Sequence, residues 1–212
     1  MPNWCSNHIT VRGTNQAEIQ RLADAFDNGE FCGTVVPMPE ELNITSGFVG
    51  DPAEQAELER KSKANKEKYG YANWYDFNVA NWGTKWEVGG DGNTAERDED
   101  GLGFSAPFDS AWSPPIGVCE ALVEQGFEVV LYYYEPGMGY CGKWDNGCDD
   151  MYEYGTENSQ TVRAAIGDEL DDMFGISESM AEYEAEQDDE EELTEWIKDG
   201  AEARKGWDKV DL

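Results

Sequence analysis

Phe127-Glu-Val-Val-Leu-Tyr-Tyr-Tyr-Glu135 is the stretch on which the fold turns. It is rich in β-branched and aromatic residues and contains neither Gly nor Pro, so it predicts a strand. Its near-continuous apolar run predicts a central position in a sheet. Upstream, Ser113-Pro114-Pro115 predicts a helix start, with Ser as N-cap and Pro in the first helical position. Val118, Leu122 and Val123 supply that helix with an apolar face, and Gly126 ends it. Residues 103–108 precede it as a strand. Downstream, Pro136-Gly137 makes a turn, and residues 140–144 and 151–154 add a meander.

The N-terminal part supplies the other half of the pattern. In residues 3–13, Ile9 and Val11 alternate with His8, Thr10 and Arg12, the period of a half-buried strand. Thr14-Asn15 offers an N-cap. Ile19, Leu22, Ala23 and Phe26 follow at helical spacing, and Asn28-Gly29 stops that helix. Residues 31–39 are apolar and punctuated by Pro, and so predict an extended segment entering a loop. Residues 52–68 predict a helix that carries Arg60, Lys61, Lys63, Lys66 and Lys68, one third of all basic residues; paired charges on a solvated face account for them. Residues 71–83 predict a helix with Trp74, Phe77 and Val79 near one face and Gly83 just beyond it. Residues 85–88 begin a strand, and 89–103 read as a flexible acidic loop. The resulting order is βαββαβ, with inserted helices and an extra hairpin at one edge. This predicts an α+β, ferredoxin-like sheet with two helices on one face.

Beyond about residue 155 the pattern changes. Residues 161–174 predict one helix with Val162, Ala165, Ile166 and Leu170 on a face. Gly175 breaks it, and Ser177 or Ser179 caps a further helix. The expected organisation is a body over 1–154 and an acidic helical extension over 155–212.

Composition bounds the function. The 212 residues include eight Trp, ten Tyr and eight Phe, which predicts a packed core. The 46 acidic and 15 basic residues leave a net charge of −31. Such a surface repels phosphate backbones and anionic membranes and attracts basic proteins, so direct contact with nucleic acid or membrane is not expected. No apolar run approaches the roughly 20 residues of a membrane span. Met-Pro-Asn-Trp-Cys at the start has the character of neither part of a signal peptide, and a cytoplasmic location is expected. The five cysteines, Cys5, Cys32, Cys119, Cys141 and Cys148, form no regular framework, so reduced thiols are expected.

Four segments also carry a resemblance. They are Met-Pro-Asn-Trp-Cys-Ser-Asn at 1–7, Val-Pro-Met-Pro-Glu-Glu-Leu at 36–42, Tyr-Gly-Tyr-Ala-Asn-Trp-Tyr-Asp-Phe at 69–77 with Asn-Trp-Gly-Thr-Lys-Trp at 81–86, and Ala-Trp-Ser-Pro-Pro at 111–115. On these the chain resembles the YubB-type ferredoxin-like family of phages and conjugative plasmids, over about residues 1–154. The resemblance implies that fold and a mobile-element context, and no activity. The Trp, Pro, Gly and Asn of the motifs are expected to serve packing and turns.

Catalytic constellations are thin. Cys5-x-x-His8 is the one Cys/His cluster, and on a strand its members point to opposite faces. Cys141-x₆-Cys148 is poorly spaced for zinc. No Walker loop and no Gly-x-Ser-x-Gly occurs, so no enzyme activity, metal or cofactor is expected. Gly103-Phe104-Ser105-Ala106-Pro107-Phe108 echoes an RNA-binding signature poorly, because the leading basic residue is missing.

What remains is acid. Residues 151–212 carry 20 acidic and five basic side chains, more than twice the net charge density of the rest. The expected partner-binding residues are Asp168, Glu169, Asp171, Asp172, Glu178, Glu182, Glu186, Asp189, Glu190, Glu192 and Glu195. B-form DNA carries one negative charge per roughly 1.7 Å of axis, and an α-helix rises about 1.5 Å per residue. A carboxylate-rich helix can therefore compete for a basic DNA-binding groove. The functional expectation is a DNA mimic that inhibits a host DNA-binding defence protein of restriction or CRISPR type. The alternative is a non-catalytic adaptor or regulator of the element's own machinery, in which the aromatic body makes the contact.

Overall fold

The computed structural model describes residues 3–90 and 92–187. The chain divides into two compact units, the first ending at Glu153 and the second beginning at Tyr154. Asp189, Glu190, Glu192 and Glu195 lie outside the described residues.

A six-stranded antiparallel open sheet forms the first unit, in the order β2-β3-β1-β4-β5-β6. Its strands are β1 (Trp4–Arg12), β2 (Glu96–Arg97), β3 (Gly103–Ala111), β4 (Glu128–Glu135), β5 (Tyr140–Asp145) and β6 (Cys148–Glu153). β1 lies between β3 and β4, with Ile9 opposite Ala106 on one side and Leu131 on the other. β3 and β4 are thus parallel to each other around β1, joined by a helix, as in a split βαβ unit. β5 and β6 extend the sheet beyond β4.

Period-two alternation sets the core. Cys5, Asn7, Ile9 and Val11 of β1 are buried, as are Phe104, Ala106 and Phe108 of β3 and Val129, Leu131 and Tyr133 of β4. Helix α1 (Gln16–Asp27) contributes Ile19, Leu22, Ala23 and Phe26 to the same cluster. Helix α5 (Ile116–Glu124) contributes Val118, Cys119 and Leu122. The Phe26 ring meets Phe31 and Phe108 edge-on, with centroids 5.7 Å away in both cases. The Asn15 side chain caps α1 by accepting from the Ala17 N–H. The interior strand β4 is buried on one face only, since Val130, Tyr132 and Tyr134 are half-buried.

Several sequence expectations give way. Residues 31–39 begin with a short helix, α2 (Phe31–Val35), instead of running extended. The first N–H groups of α2 have a partner remote in sequence: Cys32 N and Gly33 N both donate to the Glu87 carboxylate, at 2.7 Å each. Residues 85–88 are accordingly no strand. The sheet position beside β3 goes to β2, which pairs Glu96 with Ser105 and Arg97 with Phe104. Within the expected acidic loop over 89–103, residues 97–100 are pinned by ion pairs. Arg12 pairs with Asp98 and Asp100, and Arg97 reaches Asp24 at 2.7 Å and Asp27 at 2.8 Å.

Ser113 is not a helix cap either. α5 begins two residues past Pro114, with Pro115 at the N-cap position, and the Ser113 hydroxyl donates to Gly83 O at 2.5 Å. In α4 (Trp74–Asn81), Phe77 is buried but Val79 is exposed; Asn78 is buried in its place and donates to Lys85 O. Helix α3 (Pro52–Tyr69) is mostly solvated, with Asn65 buried and donating to Glu41 O at 2.7 Å; it is capped by Asp51 and ended by Gly70 in the left-handed region. Its Glu57 pairs with Arg60 and Lys61.

In the second unit the single helix expected over 161–174 is two. α6 (Val162–Ile166) and α7 (Asp168–Phe174) meet at Gly167, whose φ of 88° and ψ of 159° no helix can contain. Residues 176–187 are helical after Gly175.

Candidate partner-binding surface

The second unit is built on a few apolar side chains: Val162, Ile166, Leu170 and Ile176 are buried. Around them the acids separate into two kinds. Asp171 is 2 % exposed and is bound internally. Its carboxylate accepts from Ser177 N at 2.7 Å, from the Ser177 hydroxyl at 2.8 Å and from Arg163 Nη1 at 2.8 Å. It therefore caps the helix that starts at residue 176, a role expected of Ser177 or Ser179. Burial opposes ionisation of Asp171, but the Ser177 and Arg163 bonds outweigh it and hold the carboxyl below its ordinary value. Asp171 is thus not presented to a partner. Glu184, which is not among the expected partner-binding residues, accepts from Ser159 N and Oγ and ties residue 159 to the helix over 176–187. Those two bonds hold its carboxyl below the ordinary value.

The other carboxylates face solvent. Asp168 and Asp172 each accept from the Arg163 guanidinium, at 2.7 and 2.8 Å, yet stay mostly exposed. Glu169 is exposed on α7. Glu178, Glu182 and Glu186 are exposed at i, i+4 and i+8 of the helix over 176–187, which places them in one row. Among the described residues no basic side chain pairs with this row of three glutamates. The structure brings these six together on one acidic unit and withdraws Asp171.

The acids of the first unit differ. Glu96, Asp98, Glu99 and Asp100 line a shallow cavity of about 640 Å³, but Arg97 shares its wall. Arg12 pairs with Asp98 and Asp100, so this cavity is partly neutralised. Cys5 points into the core, while His8 lies on the other sheet face, opposite Pro107 and Tyr132. Burial pushes the Cys5 thiol up to about 12, which leaves it protonated. Among the described residues no three His, Cys, Asp or Glu side chains converge as for a metal.

The sequence reading missed an aromatic surface. The motif tryptophans were expected to serve packing, and Trp82 does: it is buried and donates to Val36 O at 2.9 Å. Trp4, Trp86 and Trp112 do not, being 49 %, 38 % and 39 % exposed. They come from three separate segments, so only their shared richness in Trp hinted at a common site.

Fold and surface together define an α+β protein with an antiparallel open sheet and an acidic C-terminal helical unit. No family model matches the chain, and no curated protein matches it. Among solved structures it is similar to the protein api92 from Yersinia pseudotuberculosis, of the family DUF1281. The two are 13 % identical, the match covers 73 % of this chain and 99 % of that one, and the TM-score is 0.40. None of the described helices is long and apolar enough to cross a membrane.

Proposed function

We propose that the protein is a DNA mimic: a mobile-element product whose acidic second unit occupies the basic DNA-binding groove of a host defence protein of restriction or CRISPR type. The observation that carries this reading is the exposed row of Glu178, Glu182 and Glu186, with Asp168, Glu169 and Asp172 preceding it in the same unit, in a chain of net charge −31. Carboxylates four residues apart in a helix stand about 6 Å apart along its axis. Phosphates on one DNA strand follow every 3.4 Å or so of axis, which makes a single row sparser than a strand. Neighbouring acids must thicken it, and the sequence places Asp189, Glu190, Glu192 and Glu195 directly after the row. A basic groove would exchange its counterions for these carboxylates as it does for phosphates.

The test is inhibition of a purified restriction or CRISPR nuclease, measured across salt concentrations. Expected is a loss of DNA binding by the nuclease that steepens as salt falls, and its abolition by Glu178→Lys, Glu182→Lys and Glu186→Lys combined. Unchanged inhibition by that triple variant sinks the proposal. A second reading, an adaptor working through the first unit, is favoured by the exposed Trp4, Trp86 and Trp112. There, binding to the element's own machinery would survive the triple variant and show little salt dependence.

A further inference from the structure

Lys85 is surrounded by rings. Its Nζ lies 4.5 Å from the Trp86 centroid, 4.9 Å from that of Trp112 and 5.9 Å from that of Tyr75. All three distances fall in the range of cation–π attraction. Trp4 extends the same surface, its ring 5.9 Å from Trp86, and Tyr75 meets Trp112 edge-on at 6.0 Å. In a chain with three acids for each base, Lys85 takes ring faces, and among the described residues no carboxylate, as its partners.

The backbone holds this arrangement from several sides. Trp112 has a φ of 75°, a conformation that costs a bulky L-residue energy and persists where surroundings impose it. Here its N–H donates to Asn3 O at 2.9 Å, and its carbonyl accepts from the Tyr140 hydroxyl at 3.1 Å. Buried Thr84 donates to Ala111 O at 3.0 Å, locking the residue before Lys85 to the residue before Trp112. Asn78 donates to Lys85 O at 3.0 Å. The backbone that carries Lys85 and Trp112 is therefore held before any partner arrives, although three indoles stand substantially in water. Exposed tryptophans on a backbone held in this way mark the centres of binding surfaces.

We propose that Tyr75, Trp86 and Trp112 form an aromatic cage for an arginine side chain of a partner protein, with Lys85 as the cage's internal occupant. The ring faces already accept a cation, and the net charge of −31 draws basic surfaces to the molecule. Arginine suits the cage better than lysine. Its guanidinium is planar, stacks on indole faces and sheds water at lower cost than an ammonium. On binding, Lys85 swings out to solvent and the guanidinium takes its place. The cage belongs to the first unit and uses none of the carboxylates of the DNA-mimic proposal, so either can fail without the other.

The experiment is an NMR titration of the full-length protein with the peptide acetyl-Gly-Arg-Gly-amide, following the indole N–H resonances at roughly 0.15 M salt. The isosteric citrulline peptide, which is neutral, runs in parallel. Expected are saturable shifts of the Trp86 and Trp112 indoles with the arginine peptide only. Lys85→Ala, which empties the cage, should tighten binding roughly threefold to tenfold. Lys63→Ala removes the same charge from α3 and should leave the affinity unchanged. Trp86→Leu, at an exposed position that spares the core, should weaken binding by a similar factor. Equal shifts from the citrulline peptide, or an affinity that responds alike to Lys85→Ala and Lys63→Ala, would overturn the proposal.

Discussion

Asp171 joins three pieces of the second unit through one carboxylate. It receives Ser177 at the start of the last described helix and Arg163 from α6, while itself standing on α7. Removing it leaves the Ser177 N–H without its partner, at a cost of about 2 kcal/mol. Asp171→Ala is therefore expected to raise amide exchange over residues 162–187 while exchange in β1 and β4 stays as it was. The same carboxyl gives the unit a pH limit. Its folded pKa lies below its unfolded value of about 3.9. The stabilisation is then complete above that value and disappears as pH falls through the folded pKa. Amide protection of the second unit should drop on acidification below about pH 4, and less so in Asp171→Asn, which has no charge left to lose. In the first unit, Gly117 decides how α5 meets the end of α4. A Cβ there would lie 2.3 Å from Asn81 O, a backbone atom that cannot rotate away. Gly117→Ala should cost about 2 kcal/mol, read from urea unfolding.

Elements differ in how much of their stability lies in their own sequence. α3 owes its helicity to local terms: Asp51 at its start, Gly70 at its end and ion pairs along its side. Such exposed pairs contribute little, so Lys61→Ala should leave the thermal midpoint unchanged within error. α2 is the opposite case. Five residues cannot sustain a helix alone, and Glu87, more than fifty positions away, receives its first N–H groups. Glu87→Ala should free α2 and expose Cys32, which is now fully buried, to thiol reagents; unchanged protection of Cys32 would refute that dependence. β2 follows the same logic. Its two residues hold their place because Arg97 binds Asp24 and Asp27 of α1. The strand expected at 85–88 does not form, and pairing goes to the segment that Arg97 anchors.

At the scale of the molecule the excess of 31 negative charges dominates. Like charges repel across the folded chain more than across the unfolded one, and salt screens that repulsion over a Debye length of about 8 Å at physiological strength. Raising sodium chloride from roughly 0.01 to 0.5 M should therefore raise the thermal midpoint, as followed by calorimetry. A midpoint that falls with salt would mean that attractive ion pairs, such as those of Arg12, Arg97 and Arg163, outweigh the net repulsion. The acids are not equivalent in this balance. Those paired with arginine or tied to backbone N–H groups hold the fold together, whereas the row at Glu178, Glu182 and Glu186 stands exposed, with no basic partner among the described residues.

The sequence by itself determined the elements whose signals are local. Alternation in residues 3–13 and the near-continuous apolar run of 127–135 marked two strands, and Ile19, Leu22, Ala23 and Phe26 marked the helix that covers them, while the single buried face of β4 emerged only in the fold. Their order was enough for a ferredoxin-like arrangement, because few ways exist to bury those faces together. Charge density likewise marked the second unit as acidic. Only the tertiary structure decided which acid is buried, which carboxylate caps which helix, and which tryptophans stay in water. Asp171 and Asp172 are neighbours of identical chemistry, and only the position of Arg163 and Ser177 separates them. Lys85, Trp86, Trp112 and Tyr75 meet because β1 and β3 pair in one register and Thr84 is held to Ala111. Contacts between residues far apart in the chain depend on the geometry of the whole, and no local pattern encodes them.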